Sequence, residues 1–130
     1  MARVLLIEDD PNQQLLFSSE LEDAGHTVCV ALNGEDGLEH LKTETFDIVV
    51  LDIQMPRVDG IEALQRIMDH DKRIPVVLHT AYGTYKDNFM TWAADAYVIK
   101  SHDLTELKKT IRRVLAERKI RAERENASST

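Results

Sequence analysis

Cysteine occurs once in the 130 residues, at Cys29, so an intramolecular disulfide framework is excluded. Proline occurs three times and glycine five times, while 43% of the residues are hydrophobic. Disorder is therefore excluded for most of the chain, which can bury roughly two-thirds of its unfolded surface. No apolar run reaches the roughly 18 residues that a membrane span needs, and no secretory leader is visible. A cytoplasmic protein without membrane contact is the expectation. Basic charge is scarce over the first hundred residues, which hold 8 Lys and Arg against 18 Asp and Glu. That balance of -10 argues against wrapping nucleic acid, which requires a basic stripe. Residues 101–130 reverse it, with 8 basic and 5 acidic side chains, and the whole chain carries -7.

The length suits one compact domain and leaves no room for two. Five short β-branched or aliphatic runs recur: Val4-Leu5-Leu6-Ile7, Thr27-Val28-Cys29-Val30, Ile48-Val49-Val50-Leu51, Pro75-Val76-Val77-Leu78 and Tyr97-Val98-Ile99. Each has the length of one buried strand. Helical spacing separates them: Leu15, Leu16 and Leu21 after Pro11; Leu38 and Leu41 after Asn33; Ile61, Leu64, Ile67 and Met68 after Asp59-Gly60; Leu104, Leu107, Ile111, Val114 and Leu115 after Asp103. Pro11 suits a first helical turn, while Asn33 and Asp103 suit N-caps. Five βα units in succession predict a parallel sheet covered on both faces. The domain is expected to span 1–118, followed by a polar tail or linker over 119–130, RKIRAERENASST from Arg118 onward.

In open α/β sheets, ligands bind outside the carboxyl ends of the strands. Those ends carry Glu8-Asp9-Asp10, Asp52, His79-Thr80 and Lys100. Carboxylates gathered there repel, and a divalent cation is the natural remedy. Oxygen ligands without a placed Cys or His select Mg²⁺, with Mn²⁺ as a substitute, and leave coordination positions for phosphate. Lys100 then suits a phosphoryl oxygen, Thr80 a second, and Asp52 the nucleophile. Taken alone, each acid reads more readily as a helix cap, Lys100 as a surface lysine and Thr80 as a strand-end residue. Their convergence on one sheet edge favours the site.

Leu51-Asp52-Ile53-Gln54-Met55-Pro56-Arg57-Val58-Asp59-Gly60 resembles the phosphoacceptor loop of response regulator receiver domains of the CheY type. Glu8-Asp9, Thr80-Ala81, Tyr97 and Lys100 match that family in the same order, and the resemblance runs from Arg3 to Arg118. It implies a flavodoxin-like (βα)5 three-layer sandwich with strand order 2-1-3-4-5. It implies a phosphoacceptor Asp52 served by a sensor histidine kinase or a phosphotransfer protein. Mg²⁺ would be held by Glu8, Asp9, Asp52 and the backbone carbonyl of Gln54, with Asp10 a lesser member of the acidic cluster. Lys100 would neutralise the phosphoryl group, Thr80 and Tyr97 would form the switch, and Gln54 and Tyr82 would set its lifetime. The downstream partner, unknown, would meet the fourth predicted helix, the last strand and the last helix, with homodimerisation left open. Such a domain is a phosphoacceptor signalling module rather than a metabolic enzyme. It is expected to stand alone, the alternative being a fragment of a larger regulator.

Lys100 is followed by Ser101 where the family usually has proline, and Ala93 stands where glycine is common. The segment Thr80 to Tyr97 is about two residues short, which puts its helix and loops in question but not the phosphorylation site. Tyr85, Phe89, Met90 and Trp92 within it divide between core packing and a partner surface. Cys29 is expected as a small buried apolar residue, and the five histidines, without ligand spacing, as structural or exposed. Two other phosphate chemistries fit less well. A Toprim-like nucleic-acid enzyme wants Asp-x-Asp where Asp52-Ile53-Gln54 stands, and an FMN carrier would have its phosphate repelled by Glu8-Asp9-Asp10. A receiver degenerated into a plain binding module would not need all these groups.

Overall fold

A computed structural model describes residues 2–52, 59–81, 94–101 and 103–128. Five strands, β1 (Arg3–Ile7), β2 (Thr27–Ala31), β3 (Ile48–Leu51), β4 (Val76–Thr80) and β5 (Ala96–Ile99), form one parallel sheet in the order β2-β1-β3-β4-β5. Among the described residues four helices accompany them: α1 (Pro11–Asp23), α2 (Gly34–Thr43), α3 (Asp59–His70) and α4 (Thr105–Ser128). The fourth predicted helix, with Tyr85, Phe89, Met90, Trp92 and Ala93, falls outside the described residues.

Side chains alternate across a strand, and here both faces are covered, which explains why each run reads as continuously apolar. Leu5, Ile7, Val49, Leu51, Val76 and Leu78 face one way and pack with Leu41 of α2 and Leu64 and Ile67 of α3. Val4, Leu6, Ile48, Val50, Val77 and Val98 face the other way, against Phe17 and Leu21 of α1 and Leu107, Ile111 and Val114 of α4. Register is pinned at both ends of the central pair, with Val4 opposite Ile48 and Ile7 opposite Leu51. A slip of one residue would turn every one of these side chains to the wrong layer.

Local signals set the helix starts. Pro11 begins α1, and the Asp10 carboxylate caps it by accepting from the N–H groups of Asn12 and Gln13. Asn33 caps α2 through Asp36 N–H at 2.8 Å. Asp103 accepts from Thr105 N–H at 2.9 Å at the start of α4. Gly34 sits where a Cβ would come within 2.5 Å of Ala63 Cβ, so α2 and α3 approach more closely than an alanine there would allow.

One expectation needs correction. Leu15 and Leu16 do not belong to the core: they are 73% and 50% exposed, and α1 buries Phe17 and Leu21 instead. After Arg118, α4 continues through Ser128 with residues 121–126 exposed. Among the described residues no helix is long and apolar enough to cross a membrane.

Candidate functional site

Glu8, Asp52 and Lys100 each stand one residue beyond a strand, yet their backbones remain in the sheet ladder. Glu8 N–H donates to Ala31 O at 3.0 Å, Asp52 N–H to Ile7 O at 3.0 Å, and Lys100 N–H to Thr80 O at 2.6 Å. The sheet thus fixes where three charged side chains begin, and they converge at its carboxyl edge. Lys100 Nζ lies 2.8 Å from Glu8 Oε1 and 3.2 Å from Asp52 Oδ2. It also donates to Gln13 Oε1 and sits 5.6 Å from the centre of the Phe17 ring. Burial is deep: the side chains of Glu8, Asp52 and Lys100 are 1%, 6% and 12% exposed. Asp9 faces solvent beside them.

One carboxylate oxygen from each of Glu8, Asp9 and Asp52 falls within 4.8 Å of the others. The donor set contains only hard oxygens, which fits Mg²⁺ and Mn²⁺ rather than zinc. Three ionised carboxylates against one ammonium leave two negative charges, which a divalent cation cancels. Burial raises the Glu8 pKa to about 7, and the charge of Asp52 adds to the rise against the lowering effect of the Lys100 hydrogen bond.

Thr80 is fully buried at the end of β4, Ala81 is exposed beside it, and Tyr97 is partly buried on β5 against the α2–α3 layer. The structure therefore brings Glu8, Asp9, Asp52 and Lys100 together, with Thr80 and Tyr97 on the two adjoining strands. Gln54 and Tyr82 lie outside the described residues. Asp10 has a different task, its side chain being spent on the α1 cap. Gln13 was not anticipated from the sequence. It lies one turn before the core residue Phe17, and that i, i+4 spacing was the available signal that it shares the face turned toward Lys100.

His79 adds a buried ring behind the site, 2% exposed and edge-on to Phe17 at 4.8 Å between centroids. Burial, helped by the charge of Lys100, lowers its pKa to about 4. The two shifted groups give opposite pH dependences. A neutral buried His79 supports the fold above its unfolded value of 6.5, and that support is lost as pH falls toward 4. Glu8, raised from 4.5 to about 7, supports the fold at low pH and loses that contribution as pH rises. In metal-free protein the two slopes should offset each other between pH 5 and 7. Glu8→Gln should expose the His79 slope, a loss of about 2 kcal/mol on going from pH 7 to pH 5. His79→Leu should show the reverse sign, stability rising over the same interval. Urea unfolding in EDTA at the two pH values measures both, and slopes of the same sign in both variants would contradict the assignment.

The family model described as response regulator receiver domain matches residues 4–112. The transcriptional regulatory protein DltR of Streptococcus agalactiae is 35% identical over 112 residues, 85% of this chain, which spans 50% of the length of DltR. Among solved structures, the response regulator TrrA of Thermotoga maritima in complex with Mg²⁺-BeF is 37% identical. It superposes with a TM-score of 0.83 over 88% of this chain and 99% of that one. TrrA in complex with the histidine kinase ThkA gives a TM-score of 0.81 over the same shares. The sheet order, the acidic cluster at its carboxyl edge and these likenesses agree: the chain belongs to the receiver domains of two-component response regulators, with the CheY-like fold.

Proposed function

We propose that Asp52 accepts a phosphoryl group from a phosphohistidine and that the resulting charge switches the domain between two arrangements. The observation that carries this reading is the meeting of Asp52 Oδ2 with Lys100 Nζ at 3.2 Å inside a cluster that also holds Glu8 and Asp9 oxygens. A carboxylate oxygen of Asp52 attacks phosphorus, the P–N bond breaks, and the histidine departs with the electron pair. Phosphoryl transfer needs little covalent help from a protein beyond alignment and charge stabilisation. Glu8, Asp9, Asp52 and the Gln54 carbonyl would hold Mg²⁺, which supplies positive charge to the phosphoryl oxygens. Lys100 contributes the second positive charge, and its Nζ already lies 3.2 Å from Asp52 Oδ2. Gln13 and the sheet edge hold that ammonium in place before phosphorylation.

The product carries about 1.5 to 2 negative charges. It competes with Glu8 for Lys100 and offers new acceptors to the Thr80 hydroxyl. Movement of Thr80 would free space for Tyr97, on the neighbouring strand, to change rotamer. Gln54 and Tyr82 are assigned to control of the phosphoryl lifetime. The domain proper is taken as 1–118, and the exposed continuation of α4 as a polar connector in the cytoplasm. The complex of TrrA with ThkA supports a sensor histidine kinase as the donor. A downstream protein would read the fourth predicted helix, β5 and α4.

Acetyl phosphate tests the reading without knowledge of the kinase. Intact-mass measurement should find one phosphoryl group per chain with Mg²⁺ and none with EDTA. Equal uptake under both conditions, or none under either with kinase and acetyl phosphate alike, would overturn it.

A further inference from the structure

A second cluster of ligand-bearing side chains lies away from the phosphoacceptor edge. Cys29, in the middle of the edge strand β2, places Sγ 3.6 Å from Nδ1 of His40 on α2. The same Nδ1 lies 3.1 Å from Glu44 Oε2, just past the end of α2. One atom from each of the three residues falls within 4.8 Å of the others. All three residues are partly buried, so a small ion can reach them from solvent. Cys29 is thus partly buried, where a buried small apolar residue was expected, and it lies beside His40. Glu44 also pairs with Arg3, at the start of β1, whereas Glu8 follows the end of that strand, so this cluster is set back from the carboxyl edge of the sheet.

We propose that Cys29 Sγ, His40 Nδ1 and Glu44 Oε2 form a site for a thiophilic divalent cation, Zn²⁺ being the natural occupant. Zinc bonds of about 2.3 Å to sulfur and 2.0–2.2 Å to nitrogen and oxygen place tetrahedral ligands about 3.5 Å apart for S and N, and about 3.4 Å for N and O. The separations of 3.6 and 3.1 Å are close to those values before any adjustment. A carboxylate also stands behind the imidazole. Its Nε2 lies 3.7 Å from Asp36 Oδ1, one turn earlier on α2, so a small rotation would complete the carboxylate–histidine pair that commonly supports a zinc ligand. Charge balances as well: thiolate and Glu44 carboxylate cancel the dication. Arg3 takes the other Glu44 oxygen and holds the carboxylate in place. On binding, the thiol proton goes to solvent as the metal–sulfur bond forms, and the imidazole keeps its proton on Nε2 facing Asp36. Three protein ligands leave the fourth position to water, and the ion joins the edge strand to the end of α2.

Co²⁺ is the probe, because a cobalt–thiolate bond gives a near-ultraviolet charge-transfer band and tetrahedral geometry gives intense visible bands. Titration of the 130-residue chain in saturating Mg²⁺ should show both bands at one Co²⁺ per chain, displaced by equimolar Zn²⁺. Asp52→Asn should bind Co²⁺ unchanged, which separates this site from the phosphoacceptor cluster and from the reading built on it. Cys29→Ser should lose the charge-transfer band and weaken binding more than about 100-fold, and Asp36→Asn should weaken it about tenfold with the band retained. Far-ultraviolet circular dichroism of each variant establishes that it is folded. Zn²⁺ should raise the melting temperature of the parent chain but not of folded Cys29→Ser. Absence of the thiolate band in the parent, loss of binding to excess Mg²⁺, or an unchanged band in His40→Gln would each overturn the proposal.

Discussion

Asp52→Asn is expected to take up no phosphoryl group from acetyl phosphate and Mg²⁺, under conditions where the parent chain gives an acid-stable, base-labile adduct. The substitution preserves shape and leaves a carbonyl oxygen able to accept from Lys100 Nζ, now 3.2 Å from Oδ2. What it removes is the nucleophile, because an amide oxygen is far less able to attack phosphorus than a carboxylate. It also removes one of the three carboxylates in the acidic cluster, so Mg²⁺ affinity should fall in parallel. Folding is not the weak point of this variant. The Asp52 charge is one cause of the raised Glu8 pKa, and its loss lets Glu8 ionise more readily beside Lys100. The variant should therefore be at least as stable as the parent near pH 7 in EDTA. Intact mass and urea unfolding check the two halves, and an adduct persisting equally in Asp52→Asn would remove the phosphoacceptor from this position.

The site edge was legible because charged residues directly after apolar strands interrupt an otherwise continuous pattern. Glu8, Asp52 and Lys100 are the first residues after their strands, and a parallel sheet aligns all such ends on one edge. The two core layers were likewise readable in principle, since alternate residues of each run face opposite layers. Leu15 and Leu16 were misleading because leucine counts as apolar at any angle around a helix. With about 100° of turn per residue, the direction set by buried Phe17 and Leu21 leaves Leu15 on the far side and Leu16 at the flank. Asp10 was ambiguous for a different reason: an acid between a strand and a helix is equally suited to a metal and to an N-cap, and only backbone geometry separates the two. The segment after Arg118 stayed helical because Arg, Lys, Glu and Ala are good helix formers even where no apolar face exists. Polarity argued against a core contact there, not against a helix. Contacts between different elements, such as Cys29 with His40 or Lys100 with Gln13, follow from packing of helices on the sheet and leave little periodic trace.

Lys100→Met should destabilise the metal-free protein by about 3 kcal/mol at pH 8, and by less at pH 6. Methionine keeps the length and apolar stem of the side chain but removes the ammonium that Glu8 and Asp52 share and that lies over the Phe17 ring. Both carboxylates are nearly inaccessible to water, so the lost attraction is not replaced by hydration. The pH dependence follows from Glu8. In the parent, Glu8, with its pKa near 7, is mostly ionised at pH 8 and stabilised by Lys100; without Lys100 its pKa rises and that stabilisation is lost, whereas at pH 6 Glu8 is mostly protonated with or without the ammonium. Saturating Mg²⁺ should restore much of the lost stability, since the cation brings positive charge to the same oxygens. Phosphoryl uptake should not recover with it, because the second positive charge on the phosphoryl oxygens is gone. Urea unfolding at pH 6 and 8, with EDTA or Mg²⁺, separates this account from a packing effect. A loss of equal size under all four conditions would mean that Lys100 matters here through its stem rather than its charge.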